Sequence, residues 1–428
     1  MRIGIDATAL QSGSRMRGIG YSLIHVLNNL TPEQKAEHSF VFYMAHTGQY
    51  DPLELINTDG MEYTTAYLEP FRPWKNLPGQ LRIFTKLINK FRLAGHQWVG
   101  GAHFKNVRDI DVFFQIDQAA GLPPKHRVQS ALFLHDIIPY VMEAEYLWSY
   151  RTARQRGLRR KRALGCFVAR VSYVIKVRLV LRRASVLLAN SEWTKHDYVK
   201  FFGVKSKKIT VTPLGVNGAD TPAPPKAEFT EARPSSWGYL PEPVDLTEKP
   251  FLLFVGGADP RRRLVDLVAA YNILRAQGTD LRLVFAGDSM QSPDTVGNPL
   301  LQSYLKKHSA YSDDISFLGF VTDEQREWLY AHALAFVFPS VYEGFGLPIL
   351  EAMERDCPVI TYMNTSITEV AGEAVLVAHD FDSIVAHVKT LMTDKKVRST
   401  LIAKGHKQTE QFTWQKNAKN IMSVITKR

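Results

Sequence analysis

The feature that most constrains the fold is the apolar run Ala335-Phe336-Val337-Phe338 and the fifteen residues after it, Pro339 to Met353. Four consecutive apolar residues leave no solvent-facing alternation, which predicts a parallel strand covered on both faces. Gly344 and Gly346 follow, then Pro348 at a position suited to a first helical turn, then an apolar-periodic helix from Ile349. A strand that stops, turns on glycine and restarts as a helix leaves free backbone N–H groups at the strand's carboxyl end. In open α/β sheets that is where ligands bind, and a helix N-terminus favours an anionic one. Glu343 precedes the turn and Glu351 comes eight residues later. A carboxylate only accepts hydrogen bonds, so the pair suits the hydroxyl edge of a sugar or ribose, and phosphate is left to the amides between them.

The same device recurs. Phe251 to Val255 is a second apolar strand running into Gly256 and Gly257, followed by Asp259-Pro260-Arg261-Arg262-Arg263 and a helix from about Leu264 to Gln277. Guanidinium groups offer permanent charge and paired donors to a diphosphate, and cations at a helix N-terminus are unfavourable unless an anion joins them. Near the start, strand 2–6 and a polar loop lead to Gly18-Ile19-Gly20, which opens a helix through about Leu30. Gly18 and Gly20 fit either a phosphate approach or a hinge for close helix–strand packing. Without the full dinucleotide spacing and its ribose acid, a nicotinamide site is not expected. Further strands are predicted at 39–45, 62–68, 111–116, 130–134, 186–189, 210–212, 281–286 and 358–361, with a helix near 78–94 and helical structure over 383–428. His135 stands at the carboxyl end of the 130–134 strand, a position that favours function over structure. Asp109 and Asp111 introduce a strand instead of following one, and no metal is expected there.

At 428 residues the chain exceeds one ordinary core, and two domains are predicted. The division is 1–216, with 412–428 packing back on it, a proline-rich linker loop at 217–249, and 250–411. Cys166 and Cys357 follow no metal or redox spacing and suit a reducing compartment. The N-terminal residues read as a strand, not an export signal, and no apolar run is long enough to span a bilayer. Residues 151–183 carry twelve cations and no acid, which accounts for the whole net charge of +11. Residues 71–108 are a second acid-free basic stretch. With few aromatics among the cations, an anionic membrane surface is favoured over nucleic acid as the partner, against a merely solvated helix. Gly157 and Gly165 are expected to weaken a continuous helix there.

Glu343-Gly-Phe-Gly-Leu-Pro with Glu351 resembles the Glu-x7-Glu motif of retaining glycosyltransferases of the GT-B fold, family 4 in the usual classification. Pro260-Arg261-Arg262-Arg263 is similar to that family's Pro-Arg-Lys-Asn, with Arg262 at the lysine position. His135-Asp136-Ile137-Ile138-Pro139 is similar to a loop of its mannosyl- and rhamnosyltransferases. The resemblance implies α/β architecture: two doubly wound Rossmann-like domains facing a cleft, with a C-terminal helix returning to the acceptor-side first domain. It implies transfer of a hexose, α-mannose from GDP-mannose above others, onto a saccharide or lipid-linked saccharide in bacterial surface polysaccharide or glycolipid synthesis. His135, Glu343 and Arg262 are the expected catalytic residues. Gly18, Gly20, Gly257, Arg261, Val321, Phe345, Gly346, Leu347 and Glu351 are expected to hold the donor, Val321 at the base and Glu351 at the ribose. The nucleotide sugar is a substrate, with neither cofactor nor metal needed. The expected location is cytoplasmic, peripheral on the inner membrane's cytoplasmic face. A UDP-sugar donor, a nucleotide-sugar epimerase and a non-catalytic anionic-polymer binder are the alternatives.

Overall fold

A computed structural model describes residues 1–427 apart from 13–14, 16–17, 76–84, 87, 90–91, 94–95, 97–101, 218–224, 236–237 and 309. The helix read near 78–94 lies largely outside the described residues. The chain forms two compact units, Met1–Leu214 with Trp414–Arg428, and Gly215–Thr413.

Unit 1 holds seven strands: β1 Arg2–Asp6, β2 Ser39–Met44, β3 Glu62–Tyr67, β4 Val112–Gln115, β5 Gln129–Leu134, β6 Val186–Ala189 and β7 Ile209–Val211. They pair in parallel in the order β3-β2-β1-β4-β5-β6-β7. The inner strands are buried along almost their whole length, as a sheet covered on both faces requires. β3 is mostly exposed and polar, which blunts the edge against pairing with other chains. The C-terminal helix Trp414–Ile425 belongs to this unit and buries Trp414, Ala418, Ile421, Met422 and Ile425. Trp414 stacks on His25 at 4.9 Å and meets Tyr21 edge-on at 6.1 Å. The fully buried Asn417 amide donates to the carbonyls of Thr212 and Pro213.

In the basic stretch a single helix runs over Arg160–Arg183, straight through Gly165. Gly165 thus lowers the helix propensity without breaking the helix. Burial of Ala163, Val177 and Val180 outweighs the ~1 kcal/mol that a helical glycine costs. Gly157, at φ +81°, does interrupt the chain, after the short helix Tyr150–Gln155. Arg170 turns inward, pairing with Glu143 at 3.1 Å over the Tyr140 ring.

Unit 2 holds β8 Phe229–Ser235, β9 Gly238–Val244, β10 Phe251–Val255, β11 Arg282–Ala286, β12 Ile315–Phe317, β13 Ala335–Phe338, β14 Val359–Tyr362 and β15 Val375–Ala378. The last six form a parallel sheet ordered β12-β11-β10-β13-β14-β15. The proposed linker loop at 217–249 is corrected: β8 and β9 make an antiparallel hairpin within this unit. Its prolines tolerate a two-stranded ribbon because each strand needs N–H donors on one side only. Phe229 packs on Trp328 at 5.2 Å, and the buried Glu231 pairs with Arg282 at 3.5 Å.

Candidate active site

In unit 2 the sheet order reverses between β10 and β13, the switch point at which open α/β sheets bind ligands beyond their carboxyl ends. The turn after β10 supplies Arg261 and Arg262, and the turn after β13 supplies Glu343. Arg261 Nη2 lies 3.3 Å from Glu343 Oε2, and Arg262 Nε lies 3.5 Å from Oε1. The latter is an ion pair out of hydrogen-bond alignment, and Arg262 Nε has no bonded acceptor. Arg261 also pairs with Asp259 at 2.8 Å and donates to the Tyr342 carbonyl. Arg262 donates to the Gly257 carbonyl at 3.0 Å. Arg263, with φ +47° ahead of helix Leu264–Ala276, pairs with Asp266 instead. The three central side chains are only 10–14% exposed, so solvent screens their charges little.

Glycine geometry explains the close approach. At Gly256, φ is +137° and a Cβ would overlap the Arg262 guanidinium. At Gly287, φ is +142° and a Cβ would overlap the Gly256 carbonyl. Gly257 has ordinary room for a side chain, so the steric demand falls on its neighbour, which sequence reasoning passed over.

Gly346, at φ +101°, turns the chain into helix Leu347–Glu354. The amides of Phe345, Gly346 and Leu347 donate to no group among the described residues, and Phe345 is fixed edge-on to Phe412 at 5.9 Å. The helix starts two residues before Ile349, so Glu351 sits in its second turn. Glu351 Oε2 accepts from Tyr330 at 3.2 Å, with Arg326 3.8 Å away. Val321 follows β12 and Gly319, at the same carboxyl edge.

A clamp missed in the sequence steadies the Glu343 loop. Ser340 Oγ donates to Glu343 Oε1 at 2.8 Å, Thr365 Oγ1 accepts from the Glu343 amide, and Ser366 Oγ donates to the carbonyls of Glu343 and Phe345. Asn364 donates to the Ser340 carbonyl at 2.7 Å. The signal available was a polar Asn-Thr-Ser run at the end of a buried strand.

His135, Gly18 and Gly20 belong to unit 1. A Cβ at Gly20 would overlap the Arg15 carbonyl, and Gly18 has φ +39°, so both glycines answer to backbone geometry. His135 follows β5, and its Nε2 lies 3.0 Å from the Ile116 carbonyl, which fixes Nε2–H as the donor when the ring is neutral. Its amide donates to Gln118 Oε1, which also accepts from Tyr198, stitching the loops after β4 and β5 together.

Burial pushes the His135 pKa down to about 4. The ring is therefore a neutral hydrogen-bonding group and not a proton source near pH 7. The unfolded chain takes up a proton below about pH 6.5 that the native state refuses until about 4. The stabilisation is thus complete above about 6.5 and is lost as pH falls. Urea unfolding of unit 1 should weaken by about 2 kcal/mol from pH 7 to pH 5. His135→Gln should reduce that dependence, leaving the smaller share of His103 and His38, which burial also holds down, and an unchanged slope would refute it.

Among the described residues no group of three or more His, Cys, Asp or Glu has the geometry to hold a metal. No helix among them is long and apolar enough to cross a membrane.

Residues 241–408 match the family model described as glycosyl transferases group 1. O-antigen chain mannosyltransferase B of Escherichia coli is 33% identical over 239 residues, covering 55% of this chain and 58% of that protein. Serotype-specific mannosyltransferase WbdA of Escherichia coli is 24% identical over 440 residues, covering 98% of this chain and 47% of that protein. The chain thus spans about half the length of these curated relatives. Among solved structures, Anabaena HepE in complex with UDP and glucose superposes with a TM-score of 0.62 at 15% identity, covering 100% of this chain and 99% of that one. WaaG, a glycosyltransferase involved in lipopolysaccharide biosynthesis, gives 0.59 at 12% identity with 100% of both chains covered. Residues 241–408 are therefore similar to glycosyl transferases group 1, within a chain whose two parallel sheets have the GT-B fold.

Proposed function

We propose that this chain is a retaining glycosyltransferase of family 4 that transfers α-mannose from GDP-mannose to a saccharide or lipid-linked saccharide. The product belongs to bacterial surface polysaccharide or glycolipid. The observation that carries the reading is the meeting of Arg261 and Arg262 with Glu343 at the switch point, beside the amides of Phe345, Gly346 and Leu347, which donate to no group among the described residues. The mannosyltransferase relatives support the sugar. Glu343 holds donor-sugar hydroxyls, the amides of Phe345 to Leu347 take sugar and phosphate, and Glu351 takes the ribose. His135, whose Nε2–H is taken by the Ile116 carbonyl, offers Nδ1 as a neutral acceptor for a sugar hydroxyl.

In the reaction the bond between the anomeric carbon and the diphosphate oxygen breaks. The acceptor oxygen bonds to the same face of that carbon, and its proton passes to the departing phosphate. Arg261 and Arg262 stabilise the charge that grows on that phosphate, so the step needs no metal. Basic stretches 71–108 and 151–183 hold the protein at the cytoplasmic face of the inner membrane.

The test is a thermal-shift series with GDP, UDP, ADP and their sugars, followed by product analysis with lipid-linked acceptors. GDP-mannose should give the largest shift and an α-linked product. A shift confined to UDP-sugars would replace the donor, and interconversion of the sugar without an acceptor would make the protein an epimerase.

A further inference from the structure

Helix Arg160–Arg183 is anchored by one face and leaves the opposite one bare. Leu164, Phe167, Val168, Val171 and Ile175 are 38–55% exposed although all are apolar. At about 100° per residue they form one stripe, opposite the buried Val177 and Val180 and the partly buried Arg170 and Tyr173. The stripe does not end at Ile175. Continuing its spacing of three and four residues leads to Arg178 and Arg182, which line a cavity of about 500 Å³. Lys205 and Lys208 line the same cavity, with Leu181, Leu187, Phe202 and Val204 as its apolar wall. No acidic side chain lines it, and none of the four cations has an ion-pair partner among the described residues.

From this continuity we infer that the outer face of helix Arg160–Arg183 lies in the plane of an anionic bilayer, with a lipid phosphate seated in the cavity at its C-terminal end. An in-plane helix buries an apolar stripe among the acyl chains' upper segments while cations beside it meet the headgroups. A phosphate among four cations gains paired, charge-assisted donors from the two arginines. The helix carries eight cations and no acid, so a second copy of the same face would be repelled where an anionic surface is attracted. The inference refines the membrane placement proposed above, and it needs neither donor nor acceptor. An inactive protein can satisfy it, and an active transferase can fail it.

Sedimentation of the full chain with phosphatidylcholine vesicles, with and without phosphatidylglycerol, tests the inference. The wild-type chain should bind only vesicles containing phosphatidylglycerol. Leu164→Gln/Val168→Gln/Ile175→Gln should lower the partition coefficient about tenfold or more with net charge unchanged. Arg178→Gln/Arg182→Gln should lower it roughly 25-fold, about fivefold per cation. Arg178→Lys/Arg182→Lys should retain most of the binding, which separates charge from folding damage. All these positions are at the surface, so the thermal melts should match wild type. Three results would overturn the inference: binding that ignores phosphatidylglycerol, binding left unchanged by Arg178→Gln/Arg182→Gln, or a stripe variant that alters oligomeric state while binding vesicles normally.

Discussion

Glu343→Gln is expected to lower kcat/KM for sugar transfer about 10²-fold or more, a loss of about 3 kcal/mol of transition-state stabilisation. The amide keeps the shape of the carboxylate and can still accept from Ser340, so the loop held by Thr365 and Ser366 should stay in place. What disappears is the charge that orients Arg261 and Arg262 and, in the proposed reaction, the acceptor pair for donor hydroxyls. The two arginines lose their competing anion at the same time. Affinity for free GDP should therefore stay level or rise several-fold while turnover collapses. Calorimetric titration of GDP beside steady-state transfer reads both effects. Transfer at the wild-type rate would remove Glu343 from the reaction, whereas parallel loss of nucleotide binding and melting temperature would make it a structural residue.

Trp414→Ala should cost unit 1 about 3–5 kcal/mol of stability, the range for truncating a buried aromatic. Trp414 is 1% exposed and sandwiched with His25 and Tyr21, so the small side chain would leave a void that the stacked rings cannot fill. The two units need not unfold together, so the measurement requires probes in each. The expected result is an early transition for unit 1 and an unshifted one for unit 2. A single unshifted transition would mean that helix Trp414–Ile425 contributes little to the core it covers.

Much of this architecture was legible wherever burial writes itself into composition. Phe251 to Val255 and Ala335 to Phe338 are buried along their whole length, and each ends where glycine begins. Glu343 and its two arginines were legible for the same reason, because charged groups beside such turns have few other uses. The hairpin over 229–244 was not, since prolines signal loop more strongly than a two-stranded ribbon signals strand. β15 escaped because four residues after Gly372 and Glu373 are too few to show a period. The choice of Gly257 over Gly256 could not be settled from letters: both lack a side chain, and only the path of the Arg262 side chain separates them. The Ser340, Asn364, Thr365 and Ser366 clamp joins two separate loops, so the polar Asn364-Thr365-Ser366 run marks a strand end without saying which loop it holds.

The membership of residues 414–427 in unit 1 has a consequence for how the chain is made. The ribosome emits the strands of the first sheet well before the helix that roofs its Tyr21 and His25 side. Residues 215–413 come out whole in between, with Val216 already bonded to Phe412 and bridged to Thr413. During synthesis unit 1 thus cannot close until unit 2 has been made. Until residues 414–425 emerge it presents an unroofed apolar patch, and chaperones would find it there.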